Sequence, residues 1–322
     1  MVIARCRSRA AGIAVGYLAD RVFADPRRGH PVAGFGRLAS GVERLTYRDS
    51  RAAGALHTTV LVGGAVIAGA LVEGRAAHSA LRVAAVGLGT WAALGGNTLA
   101  RTGSAMADLL ADGDTPGARD LLPSLCGRDP ASLDEAGLTR AALESVAENT
   151  SDATVAPLLW AAIAGLPGVL GYRAVNTLDA MIGHRSARYT RFGRAAARLD
   201  DIANYPAARL AGLLTALCAP VAGGSVSGAV LAWRRDAARH PSPNAGVAEA
   251  AFAGALGVRL GGPTQYRHQL EIRPTLGDGR SPDVGDLRRA VRLSQAVQLA
   301  AVVVAVGITV ACRNGRRACP PW

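Results

Sequence analysis

Three carboxylates recur at four-residue steps near the middle of the chain: Glu144, Glu148 and Asp152. On an α-helix this spacing stacks them along one face. Stacked acids repel unless a cation or a basic partner neutralises them, and magnesium is the ordinary cation of nucleotide chemistry. The same spacing also describes a solvated acidic face balanced by Arg140 or by arginines from elsewhere. Just beyond, Asn149, Thr150 and Ser151 abut the apolar run Val155-Ala156-Pro157-Leu158. Polar groups so placed either cap the junction or line a site, because buried polar atoms need partners.

A second block holds Asn176-Thr177-Leu178-Asp179, then Gly183-His184-Arg185, then Arg198-Leu199-Asp200-Asp201, Asn204 and Arg209. Asp200 and Asp201 could hold a metal, and the guanidinium forks of Arg185, Arg198 and Arg209 suit phosphate or carboxylate. His184 is the natural proton carrier near neutral pH, although a lone histidine more often serves as a structural hydrogen-bond donor. Proline fixes two further loops, Asp25-Pro26 to His30-Pro31 and His240-Pro241-Ser242-Pro243-Asn244, the latter followed by Glu249 and a glycine series. Those glycines suit close backbone approach to a ligand and tight helix packing equally.

The elements that position these groups follow from composition. Half of the 322 residues are hydrophobic and only 4% are aromatic, with 39 glycines, a mixture common in membrane helices. The net charge of +12 comes from arginine alone, since the chain contains no lysine. A Walker A loop and a pyridoxal-phosphate Schiff base both need one, so both classes are excluded. Scattered arginines without interleaved aromatics argue against nucleic acid and for loops flanking membrane spans. Cys6, Cys126, Cys218, Cys312 and Cys319 form no CxxC pair, which leaves them as reduced thiols. Arg5, Arg7 and Arg9 before an apolar stretch imitate a signal peptide, but Asp20 and Arg21 interrupt it early.

Five apolar stretches, residues 56–72, 79–96, 155–172, 210–233 and 295–311, approach the length of about 20 residues that a bilayer crossing needs. The expectation is an all-α polytopic membrane protein of four to five hydrophobic helices, with amphipathic helical segments between them, as one integral membrane domain over residues 1–322. Ser132 and Glu135 match a capping box that would open an amphipathic helix over residues 133–149. Arg82, near the end of the second span, is expected to snorkel to the interface. Stretch 155–172 poses a conflict: if it crosses fully, the polar blocks on either side of it face opposite sides of the membrane. Pro157, Gly165, Pro167 and Gly168 within it suggest instead a broken segment that dips in or packs against other helices.

Taken in order, four motifs resemble the CobD/CbiB family of cobalamin biosynthesis over nearly the whole chain. They are Glu148-Asn149-Thr150-Ser151-Asp152 with its Val-Ala-Pro-Leu continuation, Asn176 to Arg185, Ala197-Arg198-Leu199-Asp200-Asp201 with Asn204, and His240 to Gly246. Three positions depart from the family pattern: Ala24 where Gly often precedes Asp-Pro, Ala180 where Ser is usual, and Val247-Ala248 where a bulkier residue and Pro are common. The resemblance implies an inner-membrane ligase with a cytoplasmic site. Its reaction joins a propionate carboxylate of adenosylcobyric acid to the amine of aminopropanol phosphate, with ATP as co-substrate and Mg2+ as cofactor. Its partners would be those two substrates, the bilayer and other late cobalamin-pathway membrane proteins, with no nucleic acid.

Condensing a carboxylate with an amine requires activation, for which an acyl phosphate is the expected form. In that scheme His184, Glu148 and Asp179 are the expected catalytic groups, with His184 taking the ammonium proton. Asn149, Asn176, Arg185, Arg198, Asn204, Arg209, His240 and Asn244 are expected to bind substrate, and Glu144, Glu148, Asp152, Asp200 and Asp201 form the pool of metal ligands. The competing reading is a transporter or accessory subunit that binds a corrinoid or another anion without chemistry. Transporters place ionisable groups at mid-span, whereas here they cluster at the ends of the apolar stretches.

Overall fold

A computed structural model describes residues 2–26, 29–184, 186–265 and 270–315. The chain is almost entirely helical. In order it forms α1 (Val2–Phe23), α2 (Pro31–Thr46), α3 (Arg51–Arg75), α4 (Ser79–Ala93), α5 (Gly96–Ala111), α6 (Thr115–Leu121) and α7 (Glu135–Thr150). Then come α8 (Ala156–Ala164), α9 (Leu166–Leu178), α10 (Tyr189–Phe192), α11 (Arg194–Cys218), α12 (Val226–Asp236) and α13 (Ala245–Leu256). A hairpin of β1 (Leu260–Gln265) and β2 (Leu270–Leu276) precedes α14 (Val284–Gly315).

Among the described residues three stretches are long and apolar enough to cross a bilayer: Arg51–Arg75, Arg194–Ala222 and Val284–Ala311. They present large apolar side chains outward, Val60, Ile67 and Leu71 on α3, Leu213 and Leu217 on α11, Leu299 and Val303 on α14. Acyl chains are the medium that accepts such faces, and a helix satisfies its own backbone there. The apolar stretch at 210–233 is not one span. α11 ends at Cys218, a turn follows with Gly223 in the left-handed region at φ 64°, and α12 starts afresh with Ser225 as its N-cap. The second stretch is shorter than expected, since α4 has 15 residues and ends at Ala93.

The chain divides into two compact units. The first comprises residues 1–95, 156–204 and 301–322. In it α1 lies against α4, where Gly12 and Gly16 leave no room for a side chain under Val86 and Thr90, the small-residue packing typical of membrane helices. Arg82 does not snorkel; it is buried and donates to the Ala76 carbonyl at 2.8 Å, closing the α3–α4 turn. Stretch 155–172 is broken, with a corner at Gly165 (φ 70°) between α8 and α9. The arms of 9 and 13 residues reach about 14 and 20 Å at helical rise, against about 30 Å of hydrocarbon. Neither arm crosses alone. Glu73 makes this corner tenable: one oxygen accepts the orphan N–H of Leu166 at 2.8 Å and the other pairs with Arg9 at 2.8 Å.

The second unit comprises residues 96–155 and 205–300. Here α12 and α13 approach closely through Gly228 and Gly254, and the β-hairpin is antiparallel, with a register shift between Leu260 and Gly262. The helix expected over 133–149 is α7, but Asp134 caps it, accepting from the Gly137 N–H at 2.8 Å. Ser132 lies in the preceding 3-10 turn and its hydroxyl donates to the Asp129 carbonyl. Nor is α7 amphipathic: Leu138, Ala142, Glu144, Ser145, Val146 and Ala147 are all buried. Its tail is tied to α14 by Thr150 Oγ1 and Ser294 Oγ, 2.6 Å apart.

Candidate functional site

Many of the residues expected from the sequence gather in two polar clusters, one in each unit. In the first unit α9 and α11 build a hydrogen-bonded chain. Tyr172 Oη donates to Asn204 Oδ1 at 2.8 Å, and Asn204 Nδ2 donates to Asp200 Oδ2 at 2.9 Å, the helical i, i+4 step placing those two residues together. Asn176 Nδ2 reaches Asp200 Oδ1 at 3.5 Å, and Arg173 Nη1 donates to Asn176 Oδ1 at 3.2 Å. Asp200 and Asn204 are buried. Asp179 starts a π-turn over Asp179–Gly183 and stands close enough to Asp200 for their charges to interact. Gly183 is needed there, because a methyl group at that position would strike the Asp179 carboxylate.

The remaining expected residues of this block lie around the chain. Asp201 and Arg198 are exposed on α11. His184 is exposed, its ring edge-on to Tyr189 with centroids 5.1 Å apart. Arg185 falls outside the described residues.

In the second unit acids and bases converge from α7, α13, β2 and two loops. Glu144, 2% exposed, is ion-paired with Arg128 through Oε2 and accepts the Gly261 N–H at 2.7 Å through Oε1. Gly261 presents that N–H from φ 81°, a left-handed conformation in which any side chain would meet the Pro274 carbonyl. Glu249, 1% exposed, has no hydrogen bond to either oxygen among the described residues. Among the described residues Arg273 Nη1 and His240 Nε2 each lie 3.8 Å from its Oε1. Burial pushes the Glu249 carboxyl well above the usual carboxylate range, the charges of Glu144 and Glu148 add to that, and Arg273 and Arg128 oppose it. Burial likewise raises half-buried Glu148, against Arg273 and Arg128.

Glu144 and Glu148 share α7, while Asp152 lies beyond its end, in a π-turn over Ser151–Val155. Asn149 turns back on its own helix, donating to the Ser145 carbonyl at 2.9 Å. Two expected substrate residues hold each other: Arg209 Nη1 donates to Asn244 Oδ1 at 2.8 Å while its guanidinium stacks 3.5 Å over the Tyr205 ring. His240 is buried, its Nδ1 3.1 Å from the Ser242 amide nitrogen. Among the described residues no group of three His, Cys, Asp or Glu side chains is placed to hold a metal ion. Sequence reasoning missed Arg128, Arg273 and the part played by Glu249. An acid inside the apolar run of α13 was a legible signal; the two arginines reach the cluster only through the fold.

The comparisons with known proteins bear on the whole chain. A family model described as CobD/Cbib protein matches residues 13–294. A relative from Mycobacterium tuberculosis, named cobalamin biosynthesis protein CobD, is 66% identical over 300 residues, 93% of this chain and 96% of its own. Relatives of the same name from Geobacter metallireducens and Rhodobacter capsulatus are each 42% identical, covering 91% and 88% of this chain and 94% and 90% of their own. No solved structure matches.

Proposed function

The chain belongs to the CobD/CbiB family, and on that premise we propose that it serves cobalamin biosynthesis as an amide-forming membrane ligase. Its substrates in this reading are adenosylcobyric acid, through one propionate carboxylate, and aminopropanol phosphate or a related amino-alcohol phosphate. The carboxylate first takes the γ-phosphoryl group of ATP, releasing ADP. The amine then attacks the acyl phosphate, phosphate leaves, and the ammonium proton passes to the protein. The observation that carries the reading is the placement of the second cluster. Glu144, Glu148, Glu249, Arg128, Arg273 and His240 lie on α7, α13, β2 and loops, and none of them is on a helix long enough to span. Transport sites gather such groups at mid-span, so this placement favours catalysis over carriage.

The carboxylates fit magnesium only as part of its shell. Both oxygens of Asp200 and of Glu144 already accept hydrogen bonds, whereas Glu148 and Asp152 are half-buried and Asp201 is exposed. One or two such oxygens plus nucleotide phosphates and water is the usual magnesium arrangement. When bound, the ion would neutralise phosphate charge. Arg198, exposed, and Arg185 remain the proposed phosphate donors, with His184 and Glu148 as proton carriers and Asp179 beside Asp200.

Membranes carrying the protein, given adenosylcobyric acid, aminopropanol phosphate and Mg-ATP, should yield the amide by product mass, and omission of any one component should abolish it. Glu148→Gln and His184→Ala variants should be at least about 100-fold slower, the scale of general acid–base catalysis. Parental rates in both would overturn those roles, and no amide from any amino-alcohol phosphate would return weight to a carrier.

A further inference from the structure

The second cluster buries a carboxyl, that of Glu249, to which no described residue donates a hydrogen bond. Three carboxylates, Glu144, Glu148 and Glu249, share the field of Arg128 and Arg273. Arg128 and the Gly261 amide occupy both oxygens of Glu144. Arg273 Nη1, at 3.8 Å from Glu249 Oε1, is close enough to pair with its charge but lies beyond hydrogen-bond reach. His240 Nε2 stands at the same distance, and when its Nδ1 accepts from the Ser242 amide the neutral ring carries its proton on Nε2. A buried carboxyl without a hydrogen bond is among the costliest groups a fold can keep, and such orphans in native structures call for a missing partner.

The chemistry of the cluster narrows what that partner is. Among the described residues no group of three His, Cys, Asp or Glu side chains is placed to hold a metal ion by itself, so a ligand that brings its own hydrogen-bond donors suits the orphaned Glu249 oxygens better. An ammonium group brings three donors, enough for both Glu249 oxygens and one from Glu148. Arg273 beside them supplies the opposite charge, so the cluster matches a ligand carrying an ammonium and an anionic group a few bonds apart.

We propose that Glu148 and Glu249 form the receptor for the primary ammonium group of a small aminoalkyl phosphate, with Arg273 beside them for its phosphate. This rests on the amide-forming reading and assigns the amine its subsite within it. The ammonium supplies the donors that both Glu249 oxygens lack among the described residues, and Glu144, Arg128, Arg273 and His240 are the other charged or titratable groups of the cluster.

The test compares two probes on the purified full-length protein by calorimetry: aminopropanol phosphate, and the alkyl phosphate of the same carbon skeleton without the amine. The parent should bind the amine-bearing probe at least about tenfold more tightly, equivalent to about 1.4 kcal/mol. In Glu249→Gln the two probes should bind alike, and Glu148→Gln serves as the second variant should that protein fail to fold. Equal affinity of the parent for both probes, or a preference untouched by Glu249→Gln, overturns the subsite and leaves the ligase reading standing. Binding of neither probe overturns it too, and the product-mass assay on the same preparation then decides whether the ligase reading falls with it.

Discussion

The two polar clusters solve the problem of buried polarity in opposite ways. In the first unit each member of the chain Tyr172–Asn204–Asp200–Asn176–Arg173 is hydrogen-bonded to its neighbour, and both oxygens of the buried Asp200 accept. In the second unit Glu144 is fully served, while Glu249, equally buried, has no hydrogen bond among the described residues. A satisfied network fixes a helix pair in register; an unsatisfied acid stores free energy that a ligand can release. The difference separates scaffold from receptor by hydrogen-bond accounting, where residue type alone does not.

The sharpest way to break that distinction is to unserve what is served. Arg128→Ala leaves the Glu144 carboxylate buried without its ion partner and should cost about 3–5 kcal/mol. Thermal unfolding in detergent would read this, and a loss under 1 kcal/mol would mean that Glu144 is already compensated by the Gly261 amide. In the first unit Asn204→Ala strips Asp200 Oδ2 and Tyr172 Oη of a partner each, at about 1–3 kcal/mol. A neutral result there would show that this network is not what holds α9 to α11.

Raised carboxyls leave a signature in pH. An acid whose folded pKa lies above its unfolded value binds more protons in the folded state, so stability falls as pH climbs from the unfolded pKa toward the folded one. Glu249 and Glu148 are both shifted upward, so the parent should lose stability as pH rises from about 4.5, by up to about 1.4 kcal/mol per unit for each acid. Glu249→Gln should flatten that slope. Melting temperatures of parent and variant across the range would check it, and parallel slopes would place the stored proton elsewhere.

Much of this is legible in the sequence, for physical reasons that differ by element. Pro and Gly in stretch 155–172 announce a break because they remove donors and admit a left-handed corner, and the break stands at Gly165. The joint order of the four motifs singled out Glu148, Asp200 and His240, and the fold sets Asp200 in the first polar cluster and the other two in the second. The end of α7 before Asp152 was not legible, because periodicity assumes an unbroken helical repeat and a π-turn begins at Ser151. Stretch 210–233 was read as one span because hydropathy is blind to direction, and the turn at Gly223 reverses nothing that hydropathy measures. Arg128 and Arg273 lie 16 and 125 positions from Glu144 and Glu148, beyond any local pattern.

One departure from the family pattern now has a physical meaning. Ala24, where the resemblance leads one to expect glycine, is the single non-glycine residue at positive φ among the described residues, at 55°, and its carbonyl accepts from Trp91 Nε1 at 3.2 Å. The left-handed region costs an L-residue about 1–2 kcal/mol, and glycine recovers that while giving back about 0.5–1 kcal/mol in unfolded-chain entropy. Ala24→Gly should therefore stabilise the protein by about 0.5–1 kcal/mol, the smallest of these effects. It relieves a backbone strain in the first unit, so it should move the melting temperature without changing the pH slope that Glu249 sets. A shift in that slope would mean that strain at Ala24 and the stored proton of the second cluster are coupled, and the two units could no longer be read as separate solutions.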